Sequence, residues 1–182
     1  MSKPNFTGVI LAGGASRRMG TDKTQLRVKG TPLLDLMRGK LAAGGAGNIV
    51  VLGRAEKEGG LADKQPGAGP VVAAMQYLEQ QPFGSKHLFV PVDMPALEPS
   101  RINTLARQPY WAHFTGYNLP FLGLADGIKL EPPRRVYDLL MIKMARRLAV
   151  NADGGEAFVN LNNPQDYIKY AGNSAALATR ME

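Results

Sequence analysis

The chain contains no cysteine, which excludes disulfide bonds, thiolate metal sites and a cysteine nucleophile. This composition fits a reducing compartment. Long apolar runs are also missing near the N-terminus, where Thr7–Leu11 leads directly into glycine and arginine. Such a short run is typical of neither a signal peptide nor a membrane span. We therefore expect a cytoplasmic protein that makes no use of a membrane.

Acidic residues are scarcer than basic ones, with 15 Asp and Glu against 22 Lys and Arg, for a net charge of +7. A basic surplus favours anionic partners. The arginine pairs are scattered along the chain, at Arg17–Arg18, Arg134–Arg135 and Arg146–Arg147. Without a continuous basic stripe or a basic–aromatic motif, a nucleic-acid partner is disfavoured. Small phosphorylated ligands remain as candidate partners. The alternative is that the surplus positive charge only keeps the protein soluble.

Apolar runs alternate with segments of helical spacing in the first half of the chain. The runs, which are typical of strands buried on both faces of a sheet, are Thr7–Leu11, Ile49–Leu52 and Leu88–Val92. The helices between them are predicted over Leu33–Leu41, between Thr31–Pro32 and Gly44–Gly45, and over Val71–Leu78. This order predicts a three-layer α/β/α fold with a mainly parallel, Rossmann-like sheet.

The second half of the chain is less regular. Its predicted elements are strands at His113–Tyr117 and Pro120–Leu124, an amphipathic helix over Val136–Leu148 and a strand at Ala157–Asn162. Asn163 and Pro164 have the pattern of an N-cap and first helical residue, with Asp166 in the first turn. We find no repeat and no linker, so residues 1–182 are expected to form a single domain.

A glycine-rich segment, Leu11–Lys23, follows the first predicted strand. Its glycines, at positions 13, 14 and 20, let the backbone approach a ligand and offer N–H groups to phosphate oxygens. Its cations, which suit a triphosphate, are Arg17, Arg18 and Lys23. The segment matches neither the P-loop nor the dinucleotide motif. Phosphate binding is favoured over the alternative, a turn with solvent-facing arginines.

Several polar residues are candidates for chemistry. Asp93 follows a predicted strand, where a carboxylate would face the glycine-rich segment and could hold Mg²⁺, although an aspartate that starts a turn fits the pattern equally well. Asp63, before a Pro/Gly-rich turn, could accept hydrogen bonds from N–H groups of a ligand or only stabilise that turn. Asn160 and Asn162 alternate, so on a strand they would face the same side. His87 and His113 are interpreted as structural.

Four segments together resemble one family. Leu11–Lys23 matches the motif L-A-G-G-x-S-R-R-M-G-x-D-K of the molybdenum cofactor guanylyltransferases at every specified position. Asp63–Pro70, Pro91–Leu97 and Phe158–Asp166 are similar to the family's D-x-x-P-G-x-G-P, P-C-D-M-P-x-L and F-x-N-I-N-T-P-E-D. The resemblance extends over nearly the whole chain. It implies a sheet of the nucleotide-diphospho-sugar transferase type.

The resemblance also implies an activity: transfer of GMP from GTP to the terminal phosphate of molybdopterin, with release of pyrophosphate. The implied catalytic residues are Lys23, Asp93 and Arg17, with Asp93 as the Mg²⁺ ligand. The implied GTP-binding residues are Leu11, Ala12, Gly13, Gly14, Lys23, Gly53, Asp63 and Asp93, and the implied molybdopterin-binding residues are Asn160 and Asn162. Transient contacts with molybdopterin-loading proteins and molybdoenzyme apoproteins are compatible with this role.

Departures from the family pattern leave alternatives open. Gly53 stands where the family commonly has asparagine, which removes a side-chain contact to the nucleoside. The region of residues 108–130 is shorter than the family pattern and has no assigned role. A related enzyme that uses CTP or another phosphorylated acceptor remains possible on this basis. So does a catalytically silent module that binds GTP or pterin, although the presence of Lys23 and Asp93 argues against silence.

Overall fold

The computed structural model describes residues 5–13, 23–53, 60–61, 65, 68–150 and 152–170. The strands are β1 (Thr7–Leu11), β2 (Arg27–Val28), β3 (Thr31–Pro32), β4 (Asn48–Leu52), β5 (Lys86–Pro91), β6 (Ala112–Phe114), β7 (Phe121–Leu124) and β8 (Arg146–Leu148). The helices are α1 (Leu33–Ala43), α2 (Pro70–Leu78), α3 (Pro99–Ala106), α4 (Val136–Ile142) and α5 (residues 164–170), with 3₁₀ turns at Lys23–Gln25 and Ala152–Phe158.

Six strands form one sheet in the order β4-β1-β5-β7-β6-β8. β1 pairs in parallel with β4 and β5, and β6 pairs in parallel with β8, whereas β7 runs antiparallel to both of its neighbours. Strands β2 and β3 form a separate antiparallel pair. The predicted α/β architecture with a mainly parallel sheet is therefore confirmed, with one strand reversed.

Helices cover both faces of this sheet. On one face Ile10, Leu88 and Val90 pack in a core cluster with side chains of α1 and α3. On the other face Val9 and Phe89 pack with side chains of α2 and α4. Successive residues of a strand point to opposite faces, so an uninterrupted apolar run has both sides buried. This explains why the central strands are continuously apolar, and it confirms the three-layer arrangement.

Two predicted features of the second half are wrong. The predicted helix over Val136–Leu148 ends at Ile142, and Arg146–Leu148 forms the edge strand β8 instead. The chain leaves the helix at Met144, which has a positive φ of 49°. Arg146 then donates its N–H to the Trp111 carbonyl (2.7 Å), which begins the pairing with β6. Apolar spacing continued past the helix end because β8 also packs one side against the core.

The strand predicted over Ala157–Asn162 is also absent. Residues Ala152–Phe158 form a 3₁₀ helix, and the segment after it pairs with no strand of the described chain. Leu161 instead donates its N–H to the Asp93 carbonyl (2.8 Å), beyond the end of β5. The segment therefore crosses the carboxyl end of the sheet and does not run along an edge, so no ladder can form.

The start of α5 confirms the capping prediction. Asn163 Oδ1 accepts the N–H of Asp166 (2.9 Å), and the Asp166 carboxylate accepts the N–H of Asn163 (3.2 Å). This reciprocal pair is a capping box, which satisfies backbone donors that have no partner within the helix. No helix among the described residues combines the length and apolar character that crossing a bilayer requires.

Candidate active site

The site lies where three parallel strands end side by side. Ala12, directly after β1, donates its N–H to the Leu52 carbonyl at the end of β4 (2.9 Å). Val92, directly after β5, donates its N–H to the Leu11 carbonyl (3.2 Å). Ligands of open α/β sheets bind outside the carboxyl ends of strands. The predicted nucleotide-binding residues Leu11, Ala12 and Gly13 are therefore at the expected edge.

The loops after β1 and β4 approach each other through two glycines. Gly53 has a φ of +86°, and a Cβ built on it would overlap the Cα and N atoms of Gly13. Gly53 also donates its N–H to the Leu61 carbonyl (2.9 Å). The backbone at Gly53 therefore packs directly against the backbone at Gly13. An asparagine, the residue typical of the resembled family at position 53, could not stand here unless Gly13 moved.

A lysine and an aspartate form the charged centre of the site. Lys23 is the last residue of the glycine-rich segment and the first of the 3₁₀ turn Lys23–Gln25, and its Nζ is 2.6 Å from Asp93 Oδ2. The two side chains keep 18% and 14% of their exposure, so the pair is accessible to a ligand. Lys23 also donates to Asn162 Oδ1 (3.4 Å). Three residues that are far apart in the chain thus meet at one ammonium group.

The two candidate pterin-binding asparagines flank a buried anchor. Leu161 is fully buried, and its bond to the Asp93 carbonyl fastens the segment to the end of β5. Asn162 is exposed and reaches Lys23. Asn160 Oδ1 is buried and has no hydrogen-bond partner among the described residues. Buried polar atoms normally have partners, so Asn160 Oδ1 has an acceptor position to offer to a further donor, although the segment is not the predicted strand.

Some predicted site residues fall outside the described chain, namely Gly14, Arg17 and Asp63. Their roles remain predictions from sequence. The two histidines lie in the sheet: His113 Nδ1 is 2.8 Å from the Tyr117 carbonyl, and His87 Nε2 is 2.7 Å from Ser85 Oγ. Both are buried, and burial lowers the pKa of His87 to about 4. Neither is among the residues that meet at Lys23.

Sequence reasoning missed two residues beside the site. Asp166 Oδ2 accepts the N–H of Asn162 (2.9 Å) as well as that of Asn163, and it therefore holds the segment that reaches Lys23. Tyr167 donates its hydroxyl proton to the Arg27 carbonyl, near the turn that carries Lys23. The sequence pattern at Asp166 predicts only a favourable interaction with the helix dipole. The capping-box spacing could have revealed its backbone contacts, but the Tyr167 contact has no local signal.

The donor set fits a magnesium ion held mainly by substrate. No group of three or more His, Cys, Asp or Glu side chains in the described ranges is placed to hold a metal ion. Mg²⁺ does not require such a group, since it is usually bound through one or two carboxylates together with substrate phosphates and water. Asp93 supplies one partly exposed carboxylate at the strand end. The residues present therefore fit that mode of binding.

These features define a nucleotide-binding α/β transferase. A glycine-rich segment with basic residues leaves the first strand, and a lysine and a carboxylate meet at the adjoining strand ends. Comparison with known proteins agrees. Residues 8–117 match the model of the MobA-like NTP transferase domain. Molybdenum cofactor guanylyltransferase from Xanthomonas euvesicatoria is 32% identical over 174 residues, which cover 89% of this chain and 92% of that protein.

Two solved structures share the fold. Molybdopterin-guanine dinucleotide biosynthesis protein A from Archaeoglobus fulgidus has a TM-score of 0.69 and 20% identity, covering 94% of this chain and 99% of its own. A Mycobacterium tuberculosis protein in complex with manganese has a TM-score of 0.65 and 17% identity, covering 92% and 98%. The chain belongs to the MobA-like NTP transferase family and is a nucleotidyltransferase.

Proposed function

We propose that the chain transfers GMP from GTP to the terminal phosphate of molybdopterin. A phosphate oxygen of the acceptor attacks the α-phosphorus, the bond from that phosphorus to the bridging oxygen breaks, and pyrophosphate leaves. The name of the Xanthomonas relative supports both substrates. The single observation that carries the proposal is the meeting of Lys23, Asp93 and Asn162. It supports the proposal because Lys23 and Asp93 are proposed to serve the nucleotide and Asn162 is proposed to serve the acceptor.

The residues have distinct proposed roles. The backbone of Leu11, Ala12 and Gly13, with Gly14 and Gly53, would border the nucleotide, and Asp63 would accept hydrogen bonds from guanine. Lys23 and Arg17 would neutralise charge on the phosphates, which is the main demand of phosphoryl-type transfer. Asn160 and Asn162 would contact the pterin.

Asp93 would hold the magnesium ion. When bound, the ion would supply a positive charge to the substrate phosphates and help to orient them. The proposal of a divalent ion is supported by the fit of the donor set and by the manganese complex of the mycobacterial protein. We further propose that residues 1–182 act as one domain, that the enzyme is cytoplasmic and that its contacts with molybdopterin-loading proteins and molybdoenzyme apoproteins are transient.

Replacing Asp93 by alanine tests the proposal most directly. We expect turnover to fall by at least about a thousandfold, because several kcal/mol of transition-state stabilisation would be lost at about 1.4 kcal/mol per tenfold. The assay incubates the protein with labelled GTP, Mg²⁺ and molybdopterin and separates the dinucleotide product by chromatography. Running CTP, ATP and UTP in parallel tests the base.

Asp126→Ala is the matched control. Asp126 accepts from Lys143 at 2.7 Å, a pair as short as the one at Asp93 but placed between α4 and the chain after β7. Its loss should affect stability but leave kcat within a few-fold of the parent. Turnover of Asp93→Ala close to that of this control in saturating Mg²⁺ would refute the role of Asp93. A product formed from CTP and not from GTP would refute the guanylyl transfer itself.

A further inference from the structure

The first turn of α5 holds two separate parts of the site. Asp166 Oδ2 accepts the backbone N–H groups of Asn162 (2.9 Å) and Asn163 (3.2 Å). The next residue, Tyr167, donates its hydroxyl proton to the Arg27 carbonyl, which is 140 positions away in sequence. Adjacent side chains of one helical turn thus contact two segments that are distant in the chain.

Each of these segments carries a residue of the site. Asn162 itself reaches Lys23 Nζ. Arg27 opens β2, directly after the turn that contains Lys23, and this turn is closed by the Leu26 N–H donating to the Lys23 carbonyl (3.2 Å). Asp166 therefore acts on the segment of Asn162, and Tyr167 acts on the segment of Lys23.

Neither segment is a strand of the central sheet. Residues 159–162 lie in no strand, and β2 pairs only with the two-residue strand β3 within the described chain. Leu161 is anchored at the Asp93 carbonyl, but the direction of the Asn162 side chain depends on what holds the backbone after Leu161. A reactive constellation must be held to a fraction of an ångström by its supporting contacts, since small misplacements cost large factors in rate.

We propose that Asp166 and Tyr167 are positioning residues that together set the distance between Lys23 and Asn162. One helical turn carries both contacts, so the loss of either contact should loosen both segments. Asp166 places the asparagine by binding its backbone N–H, and Tyr167 places the lysine by binding the chain four residues after it. Neither residue needs to touch a substrate. The inference rests on the proposed function only for its catalytic consequence, because the coupling between the two segments is a property of the folded chain.

The experiment compares four variants of the full chain. Asp166→Ala removes both acceptor bonds, whereas Asp166→Asn retains one carbonyl oxygen, which suffices because Oδ2 alone accepts both N–H groups. Tyr167→Phe removes only the hydroxyl. Tyr170→Phe makes the same change three residues further along the same helix and serves as its control.

In steady-state kinetics, we expect the substitutions at the two residues to change KM and kcat differently. Asp166→Ala should raise the KM for molybdopterin about tenfold or more and lower kcat, and Asp166→Asn should recover most of the loss. Tyr167→Phe should lower kcat several-fold, and Tyr170→Phe should match the parent. All assays are run well below each variant's unfolding temperature. Parent-like kcat and KM in both Asp166→Ala and Tyr167→Phe would overturn the inference.

Amide hydrogen exchange provides a readout that does not depend on activity. If the two residues couple the segments, Asp166→Ala should accelerate exchange at the Leu26 amide, and Tyr167→Phe should accelerate it at the Asn162 amide. Acceleration confined to the segment that each side chain contacts would indicate ordinary local capping and would overturn the inference. A parent that binds nucleotide but forms no dinucleotide would sink the proposed function alone, since the exchange result still decides the coupling.

Discussion

Gly53 lets two loops approach each other more closely than a side chain at position 53 would allow. Gly53 adopts a φ of +86°, in the region that glycine enters without a steric penalty. Its missing Cβ leaves room for the backbone of Gly13, at the start of the predicted phosphate-binding segment. Gly53 departs from the family's asparagine, and the close approach of the two loops requires glycine at this position.

Gly53→Ala tests this close approach. We expect the free energy of unfolding to fall by about 1–2 kcal/mol from the positive φ, and further because Gly13 must move. GTP affinity, measured by calorimetry, should fall in parallel. Gly84→Ala is the control, since Gly84 has a φ of +78° and a Cβ there would meet nothing within 4 Å. It should show the backbone cost alone, and equal losses in both variants would contradict the account.

Helix α4 ends in a Schellman motif that lacks the usual glycine. Met144 donates its N–H to the Met141 carbonyl (3.1 Å), and Ala145 donates to the Leu140 carbonyl (2.9 Å). Met144 carries the positive φ of this motif, 49°, and the residue is 89% exposed. The element therefore stops where the backbone turns left-handed, even though neither glycine nor proline marks the position.

Met144→Gly should stabilise the protein by roughly 1 kcal/mol. Glycine removes the left-handed penalty, and an exposed methionine gives up little packing. Met141→Gly is the matched control, because the same change inside α4 should destabilise by about 1 kcal/mol through helix propensity. Urea unfolding of both variants provides the comparison. Destabilisation of both would show that Met144 contributes contacts that outweigh its strain.

At the scale of the whole molecule, burial of an ionisable group links folding to pH. His87 lies in β5 with its side chain covered, and the ring of Tyr77 packs edge-on at 5.2 Å. This burial lowers the pKa of His87 from 6.5 to about 4. The unfolded chain therefore takes up the proton first as the pH falls, and protonation favours unfolding.

Stability should accordingly decrease between pH 6.5 and pH 4. The contribution of His87 is complete above pH 6.5 and falls by at most about 1.4 kcal/mol per pH unit until the folded pKa is reached. Urea unfolding at pH 7 and pH 5 measures the effect, and His87→Gln removes the group. The difference between the two pH values should shrink in this variant, and an unchanged difference would assign it to other groups.

Elements with strong local signals could be predicted from the amino-acid sequence. The apolar run Thr7–Leu11 forms β1 with the predicted bounds, because a strand buried on both faces needs no other pattern. The start of α5 also follows from its own residues, since Asn163 and Asp166 cap each other across one turn. The apolar spacing of Leu33–Leu41 predicts α1, because its buried residues recur on one face of the helix. The apolar run before Asp93 likewise predicts a carboxylate beyond the end of a strand, and Asp93 lies just after β5.

Contacts between the candidate site residues depend on the tertiary fold and could not be predicted from local patterns. The Lys23–Asp93 pair spans 70 positions and the Lys23–Asn162 contact spans 139, so neither leaves a local pattern. Asn162 reaches Lys23 from a segment that pairs with no strand of the described chain, although the sequence predicts a strand over Ala157–Asn162. Apolar periodicity indicates that one face of an element is buried, but it does not indicate which other element packs against that face. The order of strands and the bonds at their ends supply that information, because they depend on how the whole chain packs.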